Sequence, residues 1–542
     1  MTAPEGGRIR RAFGFLLFAL VAVALAAYLH LALPGIPDRD ALYHFRHAAL
    51  YRERGPLMSE FPWTQCSMVS KLGADIWYGF HLLLTPFTLD PDPVRGVKLA
   101  GAFDLAAMLI LVYVAARLVR ARLAPVWPLM ALTFAPYLLY RLLMTRPHVI
   151  SIGLAALLLA CAAEGSLLGV GLVSFAIAWV HLGFFWVVPL VIGVVAFVRW
   201  IVEGRPAWRE ALAALAGMAA GWVLRPNPIG AAKLVYTQIV QLAMEKHKGV
   251  PLLFGGDLTS GLQALAQRGA SDFARHFLPG IIVWVLLAIA MTVATTNGTG
   301  LAPRRRTFLW SSFALSGAAL VMMIGFSLRA ADLFSVFTVM FAAGAYTWLI
   351  APSMEAGVEP WTPFQGRGLL AIGGALLAFM LVSAGSDYVR VMPRMTYSPQ
   401  RLKQADEWLL DNSAPGDIVF HAHWDLFPDL FFWNTKNHYV GGMDPIFQYA
   451  YSPALYWKAH HLYTGRFSSF TCSDPVCGPA NGEDTYLVLT RDFHAKFLVL
   501  EQKRHAALFR YALNDPRFQF AFDDGTVAVF RLTGDSASPQ IP

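Results

Sequence analysis

The chain has 542 residues, 56% of them hydrophobic and only 14% charged, with a mean hydropathy of +0.49. This composition excludes an ordinary soluble enzyme, in which charged residues make up about a quarter of the chain. The net charge of +8 requires no nucleic-acid partner, because Lys and Arg collect on the cytoplasmic loops of membrane proteins.

The first apolar span, Phe13 to Leu33, follows a basic head containing Arg8, Arg10 and Arg11. It is longer than the core of a cleaved signal peptide and is read as an uncleaved anchor with a cytoplasmic N-terminus. Further spans are predicted near 97–117, 126–144, 148–165, 167–182, 184–200, 209–224, 279–296, 306–327, 331–351 and 368–388, about 11–13 crossings in all. The basic clusters Arg117/Arg120/Arg122, Arg199/Arg205/Arg209 and Arg304/Arg305/Arg306 then face the cytoplasm, and the C-terminus lies outside. The fold expected is a polytopic α-helical membrane protein of a bacterial inner membrane, ending in a periplasmic α/β domain.

The membrane domain is assigned to residues 1–390, with long outer segments at 34–96 and 225–278. In the first segment, Trp77 to Phe87 reads as an amphipathic helix along the interface, with Trp63, Trp77 and Tyr78 suited to the headgroup level. The second begins Arg225-Pro226-Asn227-Pro228 and passes through Gly255-Gly256-Asp257. Pro and Gly at that density predict a shaped loop, and loops of such length are usually functional.

The α/β domain is assigned to 391–542. Ser398-Pro399 introduces a helix with Leu402, Ala405, Trp408 and Leu409 on one face. Strands are predicted at Asp417–His421 and Tyr486–Leu489, and a hairpin turning at Asp524-Gly525 joins Phe518–Phe522 to Val527–Leu532. Cys472 and Cys477, spaced C-x4-C, predict a local disulfide in an oxidising compartment in preference to a metal site. Cys161 reads as an inert thiol within a span, and Cys66 has no assigned role.

The charged residues beside the spans converge on one leaflet. Pro37-Asp38-Arg39-Asp40 leads into His44 and Arg46. Arg146 and His148 share one outer turn, His181 ends a span, and Arg329 and Asp332 flank another turn. Asp104 lies about two turns inside its span. Each has a structural reading as well: a helix cap for Asp40, snorkelling for Arg46, core histidines at 148 and 181, an ion pair with a neighbouring Arg for Asp104. As a group they suit a phosphate-bearing lipid. Arg46, Arg146, Arg225 and Arg329 are the candidates to hold its anion. Asp40 is the candidate to deprotonate an acceptor or to hold a divalent cation, Mg2+ or Mn2+, with Asp38 or Asp104 assisting. His44, His148, His181 and Asp332 would support them.

Two segments carry a family resemblance. Asp40-Ala41-Leu42-Tyr43-His44-Phe45-Arg46 places an acid before aromatics and an Arg. Trp408, Pro415-Gly416-Asp417 and His423-Trp424-Asp425-Leu426-Phe427 follow one another in the C-terminal domain. Together they resemble the GT-C membrane glycosyltransferases that use lipid-linked sugars, most closely the oligosaccharyltransferase catalytic subunits. The resemblance implies that Asp40 is the catalytic, metal-contacting acid, that Arg329 faces the donor phosphate, and that His423, Trp424 and Asp425 face the acceptor. The chain departs from the family where His423 replaces the first Trp of W-W-D-Y-G and Leu426-Phe427 replaces Tyr-Gly. Arg146-Pro147-His148 stands where the family carries an acidic pair. The function implied is transfer of a sugar or oligosaccharide from a polyprenyl phosphate or pyrophosphate, with inversion, to a lipid, glycan or protein acceptor. A lipid or polysaccharide flippase, or a non-catalytic component of envelope glycan assembly, are the alternatives. Phe431 and Phe432 are read as core.

Overall fold

The computed structural model describes residues 5–252, 270–296, 300–352, 363–466 and 468–532. The Gly255-Gly256-Asp257 turn lies outside them. The chain divides into two units, one of Met1–Asp38, Asp90–Leu224 and Gly255–Thr396, the other of Arg39–Leu89, Arg225–Phe254 and Tyr397–Pro542. The C-terminal domain expected from residue 391 thus begins at Tyr397, and most of the first long segment and the start of the second belong with it rather than with the membrane helices.

The first unit is helical. Among the described residues, eight helices are long and apolar enough to cross a membrane, from Ala12–Leu31 to Leu370–Arg390. Pro147–Glu164 and Leu328–Ile350 are 89% and 94% buried, whereas Ala12–Leu31 and Leu370–Arg390 are 22% and 17% buried. The first two therefore form the centre of the unit and the last two its rim. Three expected spans are not among those eight. Residues 126–144 break into Val126–Thr133 and Pro136–Leu142 because Ala135 is extended (φ −159°, ψ 148°), as a residue preceding proline prefers. Leu167–Val180 and Trp208–Val223 have 14 and 16 residues. They pack closely because Gly217 and Gly221 present bare backbone. A Cβ at Gly217 would run into the Gly171 carbonyl, and one at Gly221 into that of Phe175, the small-residue contact common between membrane helices.

The second unit is built on a six-stranded sheet. Its strands are β1 (Thr64–Gln65), β2 (Ile418–His421), β3 (His438–Val440), β4 (Ala495–Glu501), β5 (Phe518–Asp523) and β6 (Val527–Leu532), in the order β1-β3-β2-β4-β6-β5. The first four run parallel, and β6 pairs antiparallel with both β4 and β5. Phe420, Val440, Leu498 and Phe530 meet in the core beneath it. The Asp524-Gly525 hairpin forms between the expected strands, with Gly525 at φ +79°. Tyr486–Leu489 is not a strand. Asp484 accepts a hydrogen bond from the Leu487 N–H and so starts a helical segment there, as side-chain caps do. Cys472 and Cys477 form a disulfide.

β1 explains why residues 39–89 join this unit. Thr64 and Gln65 pair with Tyr439 and Val440, and the buried Trp63 donates its indole N–H to the Thr435 carbonyl at 2.9 Å. Trp63 is therefore a core residue rather than a headgroup anchor. The helix expected along the interface is Tyr78–Leu84, and it packs against the helix Asp40–Arg54, with Phe80 edge-on to His44. Residues 225–252 are tied in by Asn227 to the Leu72 carbonyl (2.6 Å) and Gln238 to Asp444 (2.8 Å).

Candidate functional site

Two sets of charged side chains occupy the positions singled out in the sequence, one in each unit. In the first unit, Arg146 ends the extended turn before Pro147 and grips Asp38 with two bonds of 2.5 and 2.7 Å. Arg141 grips Asp332 likewise, at 2.8 and 2.7 Å, with both residues buried. His148 Nε2 lies 3.1 Å from the Arg141 carbonyl, and His181 Nδ1 lies 3.3 Å from the Ser151 hydroxyl. Arg329 is exposed in the turn Leu328–Ala330 and bears electrostatically on both imidazoles. Among the described residues Asp104 forms no ion pair with a neighbouring helix, and neither of its buried carboxylate oxygens has a hydrogen-bond partner.

In the second unit Asp40 is the first residue of the helix Asp40–Arg54 and the acid of its first turn. It does not cap that helix; the capping position is Arg39, which makes no side-chain cap. An acid in the first turn complements the positive end of the helix dipole. The helix is mostly polar yet buried from Ala41 to Tyr51 except at Arg46, because its polar groups pair inside the unit. Tyr43 bonds His47 (3.0 Å), His44 bonds His81 (2.8 Å) and Tyr51 donates to Asp75 (2.8 Å).

Arg39 connects the start of this helix to the segment His423-Trp424-Asp425. Its guanidinium lies 3.0 Å from the Asp425 carboxylate and 4.5 Å over the Tyr397 ring. Asp425 also receives Arg504 at 2.9 Å and His423 Nδ1 at 2.6 Å. Burial works against its ionisation, but the His423 bond and the two guanidiniums hold the carboxyl below the usual range. Trp424 packs partly buried against the sheet core, while Phe431 and Phe432 are buried outright.

The four arginines expected to bind phosphate differ in setting. Arg146 and Arg329 belong to the first unit, Arg46 and Arg225 to the second. Arg46 pairs with Glu53 (3.1 Å) and Thr435 (3.0 Å), whereas Arg225 is buried and donates to the Asp75 carbonyl at 3.2 Å. The residues expected to share a divalent cation with Asp40 lie in different settings. Both Asp38 oxygens are taken by Arg146, and Asp104 sits inside a buried helix. Among the described residues, the group of ligating atoms close enough for an ion lies elsewhere, at His47, Asp75 and His81.

Solved structures share this architecture. The chain superposes on ArnT from Cupriavidus metallidurans in the apo state over 98% of its length and all of that chain, with a TM-score of 0.54 and 14% identity. The Archaeoglobus fulgidus oligosaccharyltransferase, tethered with an acceptor peptide containing the NVT sequon, matches 96% of this chain and 74% of its own at a TM-score of 0.59 and 11% identity. The chain has the GT-C fold. The mycobacterial arabinofuranosyltransferase AftD, also of GT-C architecture, matches 96% of this chain over 40% of its own length, with a TM-score of 0.52 and 15% identity. No protein-family model and no curated protein sequence matches the chain.

Proposed function

We propose that this protein is an integral-membrane glycosyltransferase that takes a sugar from a polyprenyl phosphate or pyrophosphate and passes it, with inversion, to a lipid, glycan or protein acceptor outside the cytoplasm of a bacterial cell. Asp40 accepts the proton of the acceptor as its oxygen or nitrogen attacks the anomeric carbon. The bond from that carbon to the phosphate oxygen breaks, and the lipid phosphate leaves as the anion. Arg146 and Arg329 are the phosphate ligands of this reading, and His423 and Trp424 the acceptor side. The observation that carries it is the Arg39–Asp425 pair, which ties the acid-bearing end of the helix Asp40–Arg54 to the segment that resembles an acceptor motif. The GT-C architecture supports it, and among the structures sharing that architecture is ArnT bound to undecaprenyl phosphate, with a TM-score of 0.53 and 15% identity over 99% of this chain. The deciding experiment incubates purified protein with labelled lipid-linked sugars. Transfer by wild type that falls to background in Asp40→Ala supports the assignment. Equal transfer by both proteins removes Asp40 from the reaction, and no transfer from any donor favours a flippase or a non-catalytic role.

A further inference from the structure

Beneath the helix Asp40–Arg54 lies a cluster that the proposed transfer reaction does not use. His47 and Tyr51 sit one turn apart on that helix, Asp75 follows in the loop, and His81 comes from the helix Tyr78–Leu84. The three acid and imidazole side chains are nearly sealed from solvent, at 3% exposure for His47, 8% for Asp75 and 0% for His81. Asp75 Oδ2 is the hub. It lies 2.6 Å from His81 Nδ1, 3.8 Å from His47 Nε2 and 2.8 Å from the Tyr51 hydroxyl.

The outward atoms of the same side chains are held by other groups. His47 Nδ1 is 3.0 Å from the Tyr43 hydroxyl, His81 Nε2 is 2.8 Å from His44 Nδ1, and Asp75 Oδ1 accepts the Trp77 N–H at 2.8 Å. Metal-binding histidines are oriented in this way, with the second ring nitrogen bonded so that the first points inward. Four-coordinate zinc with bonds of about 2.0–2.1 Å places neighbouring ligand atoms about 3.3 Å apart. The hub separations of 2.6 and 3.8 Å bracket that figure. The candidate ligand atoms of His47, Asp75 and His81 all lie within 4.8 Å of one another.

We propose that His47, Asp75 and His81, with Tyr51 as a fourth donor, bind one divalent transition-metal ion, zinc by the chemistry of the set. Imidazole nitrogen with a carboxylate suits Zn2+ better than Mg2+, which prefers all-oxygen octahedra and keeps its waters. The site is buried and offers four protein donors, so the ion is a structural clamp. It joins the helix Asp40–Arg54 to the helix Tyr78–Leu84 and, through His81 and His44, stiffens the turn that follows Asp40. Arg225, donating to the Asp75 carbonyl, is the opposing influence, a cation that favours a metal-free cluster sharing protons along Asp75, His81 and His44.

Metal content decides between them without any assay of sugar transfer. The full chain, purified in detergent from zinc-supplemented cells, should keep about one zinc per chain through dialysis and melt at lower temperature after chelation. The variant His47→Gln/His81→Gln should lose the ion. Less than about a tenth of an equivalent in wild type, with no rise in melting temperature as Zn2+ is titrated back, overturns the site. Equal retention by the double variant also overturns it, as the mark of an adventitious ion. Should that variant fail to fold, zinc-edge absorption on wild type still decides. The site requires two imidazoles and no sulfur in the first shell, and any other shell overturns it.

Discussion

Arg39 and Asp425 stand 386 positions apart in the chain and meet at 3.0 Å, immediately before the proposed catalytic acid. The pair is mostly shielded, with side-chain exposures of 18% and 26%. Truncating one member leaves the other charge under-compensated, which costs roughly 1–3 kcal/mol. Arg39→Ala is expected to lower the melting temperature and to reduce transfer. Asp425→Asn should do less to stability, since the amide still accepts a hydrogen bond from Arg39.

Asp40→Asn preserves the shape of the side chain and removes its capacity to take a proton. General-base catalysis contributes about 10²–10⁴-fold. Transfer should fall by that factor in a radiolabel assay while thermal unfolding stays within a few degrees of wild type. A loss below tenfold would demote Asp40 to a positioning role.

Asp429 governs how the second unit responds to pH. Burial raises its carboxyl from 3.8 to about 6, against the attraction of Arg401 at 3.1 Å. A group that binds its proton more readily when folded contributes its full stability below about 3.8 and loses it as pH climbs through about 6. The loss is on the order of 3 kcal/mol. Melting temperature measured between pH 4 and 7.5 should carry a downward component over that window, and Asp429→Asn should flatten it.

Arg141 and Asp332 form a buried bidentate pair inside the first unit. Removing one partner of such a pair costs about 3–5 kcal/mol, whereas removing both costs less. Arg141→Ala should therefore be poorly folded by size-exclusion chromatography in detergent. Adding Asp332→Ala to it should recover part of the monodisperse yield.

Gly217→Val tests the close helix pair. The new side chain would strike the Gly171 carbonyl, and overpacking of this kind costs about 1–3 kcal/mol. A matching loss of thermal stability is expected, while Gly193→Val, at a glycine with open space around its Cβ direction, should be tolerated.

Local chemistry made much of the fold legible. The Asp524-Gly525 turn, the amphipathic helix Lys403–Asn412 and the strand Ile418–His421 follow from residues adjacent in the chain. The misreadings are also local in cause. A continuous span over 126–144 neglects the preference of Ala135, the residue before Pro136, for extended backbone, and Asp484 converts an apolar run into a capped helix. The assembly of the second unit was not legible, since a two-residue strand such as Thr64–Gln65 has no periodicity to detect. At the candidate site, Asp40 is legible from the charged cluster after the first span, and the His423-Trp424-Asp425 run from its resemblance to a family motif. Arg39 did not, because its partner is distant in sequence. His47, Asp75 and His81 match no spacing rule and are related only through the folded chain.

The shortest strand has the longest reach. Because Thr64 pairs with Tyr439, β3 stays open along one edge until a segment made hundreds of residues earlier returns to it. A fragment cut at Tyr397 would carry that bare edge into solution, where unpaired strands recruit other chains. In the cell, the early segment must wait through synthesis of the intervening helices before its partner emerges, so late folding and a demand for protection meanwhile are built into the order of the sequence.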